Sequence, residues 1–142
     1  IGAKAAGVKA INLKKDDVLA AAFIANTDSL YLLTQRGSLK RMAVADIPVT
    51  SRANRGLQVL RELKTKPHRV FAAGPVYGEA TDFDLFTTEA EASEEQILQV
   101  LSNKGTTYEI NLADLSLSER TSNGSFISDT ISDEEVLSAY IK

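Results

Sequence analysis

The sequence predicts an all-β fold of propeller-like repeats, on three observations. Leu30–Gly56 and Leu98–Gly124 align without a gap at a spacing of 68 residues, so that Leu32-Leu-Thr-Gln-Arg-Gly-Ser lies over Val100-Leu-Ser-Asn-Lys-Gly-Thr. A glycine-led phrase recurs at Gly7, Gly56 and, more weakly, Gly124, at spacings of 49 and 68 residues. Short, partly alternating apolar runs bounded by turn residues dominate the rest, as strands do. The 19-residue difference between the two spacings places an insertion in the second unit, between about Gly74 and Glu95, leaving a basic unit of about 50 residues, in the range of propeller blades.

In chain order, Gly7–Leu13 reads as a first strand, with Val8 and Ile11 apolar and Lys9 and Asn12 polar. Val18–Ile24 is a second apolar run. Ala20, Ala21, Ala22 and Ala25 favour helix there, but the counterparts Arg69–Ala73 and Val136–Ile141 are short and partly β-branched, so strand is preferred. Leu30–Thr34 and Leu39–Val44 flank Gln35-Arg36-Gly37-Ser38, a hairpin loop in which Gly37 takes positive φ without steric cost. Asn103-Lys104-Gly105 supplies the same turn in the second unit. Pro48 of Asp46-Ile47-Pro48 ends the hairpin, since proline has no amide to give a ladder. A polar loop, Thr50–Arg55, leads to the next glycine. Each unit thus offers about four strands, the count of a propeller blade. The expected division is repeat 1 over about 7–55, repeat 2 over about 56–123 with the insertion at 74–95, and closing strands over 124–142. A helical turn is a rival reading within 89–95 and 134–142.

With 142 residues the chain is long enough for a real core. It has no cysteine, which excludes disulfide scaffolds and thiolate metal sites. It also has no apolar run near the roughly 20 residues of a membrane span and no secretory leader pattern. A cytoplasmic location and no membrane partner are the default expectations, and an initial Ile1 in place of Met suggests an excised piece of a longer polypeptide. The net charge of −3 hides a strong asymmetry. Residues 1–70 carry thirteen Lys/Arg against five Asp/Glu, whereas 71–142 carry three against fourteen. The first half should attract polyanions and the second repel them.

Catalytic and metal chemistry find no support in the residue pattern. His68, the single histidine, has no second ligand and reads as an ordinary loop residue. Asn103-Lys104-Gly105-Thr106 lacks the upstream glycine of a phosphate loop. Asp16-Asp17 and Asp133-Glu134-Glu135 have no base or nucleophile beside them. No catalytic residue, metal ligand or cofactor is therefore expected in this stretch.

The string Leu32-Leu-Thr-Gln-Arg-Gly-Ser-Leu-Lys-Arg-Met, followed by Asp46-Ile-Pro and Ser51-Arg-Ala-Asn-Arg-Gly-Leu-Gln-Val-Leu, resembles the repeat of the C-terminal domain of type IIA bacterial topoisomerase A subunits. The matching positions are Leu33-Thr34, Gly37, Arg41, Ile47, Arg52 and Gly56-Leu57. The resemblance covers nearly the whole chain outside 74–95, and it is more specific in the first unit than in the second. It implies a β-pinwheel, here partial, with two full blades plus an entering strand. It also implies a non-catalytic, duplex-DNA-binding and bending module of a type II topoisomerase. The partners implied are double-stranded DNA, the ATPase subunit of the holoenzyme and the catalytic core of the same subunit, at the nucleoid. The loops Ser51–Gly56 and Glu119–Gly124 lack the Gln-Arg-Arg-Gly-Gly-Lys-Gly box of the gyrase branch, which favours the topoisomerase IV branch.

On that resemblance, the cations expected to meet DNA phosphates are Lys9, Lys14 and Lys15; Arg36, Lys40 and Arg41 on the hairpin; Arg52 and Arg55; and Arg61, Lys64, Lys66 and Arg69. If Arg61 lies in a strand, period-two geometry puts it on the opposite face from Leu60 and Glu62. The competing reading of all these residues is solvated edge charge. Arg52 and Arg120 hold equivalent places although their surroundings change sign, which suggests turn braces, by pairing with Asp46 or Asp114. The acidic second unit is expected to end the DNA track. The alternative function is a propeller-type protein-interaction scaffold docking through its acidic face.

Overall fold

A computed structural model describes residues 7–77 and 96–142. Among the described residues the strands are β1 (Ser29–Thr34), β2 (Ser38–Ala43), β3 (Val70–Val76), β4 (Ile97–Ser102), β5 (Thr107–Asn111), β6 (Ser125–Phe126) and β7 (Val136–Ile141). All pairings are antiparallel, in two sheets ordered β3-β1-β2-β6 and β5-β4-β7. The all-β expectation holds.

Both hairpins form where the turn chemistry places them. Gly37 (φ 81°) and Gly105 (φ 82°) occupy the left-handed region, and their amides donate to Thr34 O and Ser102 O, each at 3.0 Å. The third strand of each sheet arrives from the following unit. β3 pairs with β1, and β7 pairs with β4, each with a register irregularity at the same repeat position, Leu33/Thr34 and Leu101/Ser102. The side-chain clasps recur as well. Gln35 Oε1 accepts from Arg69 N at 2.5 Å, and Asn103 Oδ1 accepts from Glu135 N at 3.1 Å. Tyr31, Leu33, Leu39 and Val76 of one sheet pack with Leu98, Val100 and Val136 of the other, and with Leu112, in one buried cluster. Each unit therefore closes its hairpin with its neighbour's strand, and the shared apolar face joins the two.

Two expectations are corrected. Gly7–Leu13 makes only an isolated parallel bridge, Ile11 to Asn54, and the glycine-led phrases at Gly56 and Gly124 yield no strand and a two-residue strand respectively. Val18–Ile24 is not a strand. An extended run becomes a strand only when a neighbouring edge takes its amides and carbonyls, and this run has no ladder partner among the described residues, with Val18 and Ile24 over 80% exposed. Val136–Ile141 forms β7 as expected, after a 3-10 turn at Ile131–Asp133, and the rival helical turn over 134–142 does not form. Gly74–Val76 belong to β3. The rest of the expected insertion, with the turn at 89–95, lies outside the described residues apart from Tyr77.

Candidate nucleic-acid interface

Lys40 and Arg41 apart, the described cations of the first half fall into three places. Lys9 and Lys14 are exposed on the N-terminal segment, as is Lys15. The loop carrying exposed Arg52 and Arg55 docks against that segment, because Ala53 N donates to Ala10 O at 3.0 Å and Asn12 N to Asn54 O at 2.8 Å. Segment and loop together form one exposed basic group. Arg61 and Lys64 follow, also exposed, on irregular chain whose path is fixed where Arg61 N donates to Asn123 Oδ1 at 2.8 Å. No strand forms there, so the alternation expected around Arg61 does not apply.

The third place is built around Arg36 at the β1–β2 turn. Its Nη1 donates to Lys66 O at 2.7 Å and contacts His68 Nε2 at 3.2 Å, and the guanidinium lies 5.5 Å from the Phe126 ring centre. Lys66 presents that carbonyl from a left-handed backbone (φ 50°). His68 Nδ1 lies 3.0 Å from Thr34 Oγ1. Arg36 can only donate, so His68 accepts at Nε2 and carries its proton on Nδ1. Burial, and then the Arg36 charge, hold the imidazole below its usual range, keeping this acceptor neutral. The result is a pre-oriented guanidinium whose orientation costs no further ordering on binding. His68, Gln35 and Phe126 had no sequence signal as site residues, because their partners lie about thirty residues or more away.

Lys40 and Arg41 are corrections. Both are only 2% exposed, so neither lies on a surface that DNA could reach. Lys40 Nζ donates to Arg120 O at 2.6 Å, Ser122 O at 2.7 Å, Glu119 O at 3.3 Å and to Val59 O. Burial first, and the Arg120 charge second, push its pKa down to about 8. Four carbonyls nonetheless give the ammonium its hydrogen-bond partners, as a buried charge requires. Arg41 donates from Nε to Ser29 Oγ at 2.8 Å, and burial lowers its pKa. Arg120 is a brace, as expected, but to the Gln58 carbonyl and not to Asp114. Arg52 does not pair with Asp46, since the single ion pair among the described residues is Lys142–Glu109 at 2.9 Å.

Arg36, Lys66 and Arg69 line one wall of a cleft of about 610 Å³, and Ser132, Asp133, Glu134 and Glu135 line the other. Glu134 Oε2 accepts from the Tyr108 hydroxyl at 3.0 Å, which fixes that carboxylate in place. Among the described residues no three His, Asp or Glu side chains gather as metal ligands, and no helix is long and apolar enough to cross a membrane.

The family model of the DNA gyrase C-terminal domain, a β-propeller, matches residues 1–26 and 28–76. The chain is 66% identical over 142 residues to the A subunit of DNA topoisomerase 4 from Streptococcus pneumoniae serotype 4, covering all of this chain and 17% of that protein. It is 68% identical over 141 residues to the corresponding protein of Streptococcus pyogenes serotype M6, covering 97% of this chain and 17% of that protein. Among solved structures, the C-terminal domain of DNA topoisomerase IV superposes with a TM-score of 0.75 at 31% identity, over 99% of this chain and 39% of the other. The chain thus spans about a sixth of the length of the curated relatives it matches.

Proposed function

The chain belongs to the family of DNA gyrase C-terminal domains, and on that premise we propose that it is a non-catalytic, duplex-DNA-binding and bending module of a topoisomerase IV A subunit. The observation that carries this reading is the state of the exposed cations. Lys9, Lys14, Arg52, Arg55, Arg61, Lys64, Lys66 and Arg69 all face solvent, and none has a carboxylate within ion-pair distance among the described residues. Unneutralised cations at several points along a surface are what phosphate binding needs, and they read no sequence. The N-terminal segment with its docked loop starts the track, residues 61–64 continue it, and Arg36, Lys66 and Arg69 end it. Bending would follow from a duplex conforming to that path, with specificity for DNA shape and not for bases.

Strand cleavage and ATP hydrolysis then belong to other parts of a holoenzyme. Its partners, in the cytoplasm and at the nucleoid, would be the catalytic core of the same polypeptide and a separate ATPase subunit. The module's task would be to position DNA for strand passage and decatenation. Titrating labelled duplex with the protein at increasing salt tests the reading. If about five phosphates are neutralised, log K should fall with log salt at a slope of roughly −4 to −5. A slope near zero, or no binding at low salt, would refute it and favour a protein-docking scaffold.

A further inference from the structure

The cleft below the β1–β2 turn sets three cations against three carboxylates, and this arrangement has a consequence for where a bound duplex ends. Arg36, Lys66 and Arg69 face Asp133, Glu134 and Glu135 across it, yet no pair comes within ion-pair distance. Charges lining one cleft interact over the Debye length, about 8–10 Å at ordinary ionic strength. The two sets of charges therefore feel each other's field without contact.

One cation and one carboxylate of the cleft are held in place. Arg36 is held by the Lys66 carbonyl, by His68 Nε2 and by the Phe126 ring. Glu134 is held by the Tyr108 hydroxyl, while Glu135 N is held by Asn103 Oδ1. The acidic turn is also tied to the basic one directly, since Val136 N donates to Gln35 O at 2.9 Å. The Arg36 guanidinium and the Glu134 carboxylate are thus each anchored beside the same cleft.

We propose that Asp133, Glu134 and Glu135 form an anionic stop that ends the phosphate track at Arg36, Lys66 and Arg69, and that they hold duplex affinity below what those cations alone would give. This rests on the proposed DNA-binding function and adds a regulatory element to it. A phosphate entering the cleft gains the three cations but meets three negative charges beside them, of which the Glu134 carboxylate is held by Tyr108. The backbone is repelled from the second unit and leaves the surface there.

The test compares two double variants with equal charge change. Glu134→Gln with Glu135→Gln removes two of the stop's three charges, and Asp114→Asn with Glu119→Gln removes the same charge from positions that do not line the cleft. Labelled duplex is titrated by fluorescence anisotropy at low and moderate salt, and hydroxyl-radical footprints are read on the same complexes. The expected result is a tightening of about threefold or more at low salt for the cleft variant, with a longer footprint, and a smaller effect and an unchanged footprint for the control. Equal shifts in both variants would mean that net charge alone acts, and would overturn the stop while leaving DNA binding standing. No shift in the cleft variant would overturn it equally. Absence of duplex binding by the unmodified protein would remove the underlying function, a different result from either.

Discussion

Replacing Lys40 by Met should separate a buried cation's structural role from a surface cation's binding role. In the folded chain the ammonium makes close contacts to the carbonyls of Val59, Arg120 and Ser122 and a longer one to Glu119, joining β2 to two loops. An ammonium has three protons, and charge-assisted hydrogen bonds contribute about 1.5 kcal/mol or more each, so losing them should cost about 4 kcal/mol. That is a large fraction of the stability of an ordinary domain. The lysine also has a pH signature. Its folded pKa of about 8 lies below the unfolded value of 10.5. Between those values the unfolded chain binds the proton more tightly, so stability rises with pH across the window. At pH 9.5 the rise should reach about 2 kcal/mol, absent from Lys40→Met, and the stability gap between the two proteins should widen by that amount from pH 7. Urea unfolding followed by tyrosine fluorescence at the two pH values measures it. A loss under about 1 kcal/mol at pH 7 would refute the carbonyl cage, and a gap that narrows as pH rises would refute the burial-lowered pKa.

Other outcomes follow from the same structure. Gly37→Ala and Gly105→Ala share a positive φ, but a Cβ at Gly37 would stand 2.2 Å from Ile131 Cγ1 while Gly105 has open space. Unfolding should show a loss of about 1 kcal/mol at Gly105, from the backbone alone, and about 3 kcal/mol at Gly37. Equal losses would contradict the packing of Ile131. Lys64→Gln, at an exposed position, should leave stability within about 0.5 kcal/mol and reduce the salt slope of duplex binding by about 0.9, whatever the DNA sequence. His68 has a folded pKa below 6.5, so the unfolded chain takes up its proton first as pH falls and stability drops below about pH 6.5. His68→Gln should flatten that acid limb, and an unchanged limb would place its origin elsewhere.

The hairpins were legible because a turn is a local device: Gly37 and Gly105 sit between apolar runs whose pairing needs no distant partner. The exchange of β3 and β7 was implied only by the pinwheel resemblance, because it sets Leu33 against Ala72 and Leu101 against Ser138 across long separations that no periodicity marks. Val18–Ile24 shows the converse. Its composition permits a strand, but strand formation depends on a neighbouring edge, which a run of residues cannot announce. The basic surface was legible as a charge count. Its geometry was not, since Arg36 depends on Lys66, His68 and Phe126, all distant from it along the chain.

Lys40 and Arg41 were misplaced for a reason the repeat itself supplies. Their counterparts 68 residues on are Tyr108 and Glu109, on β5, which occupies in the second sheet the place of β2 in the first. β2 is covered along its outer side by β6, by the bridge from Arg41 to Leu117 and by the loop at 119–123, so a side chain at position 40 is enclosed and must find partners within. β5 has no such neighbour among the described residues, and there Tyr108 turns its hydroxyl to Glu134 while exposed Glu109 pairs with Lys142. Backbone position is the same and enclosure differs. A lysine reads as a phosphate ligand or as a carbonyl staple only once the covering strand is known, and that strand comes from a third stretch of chain, more than eighty residues away. Charge along a repeat therefore locates a binding surface only after the cations that hold the blades together have been set aside.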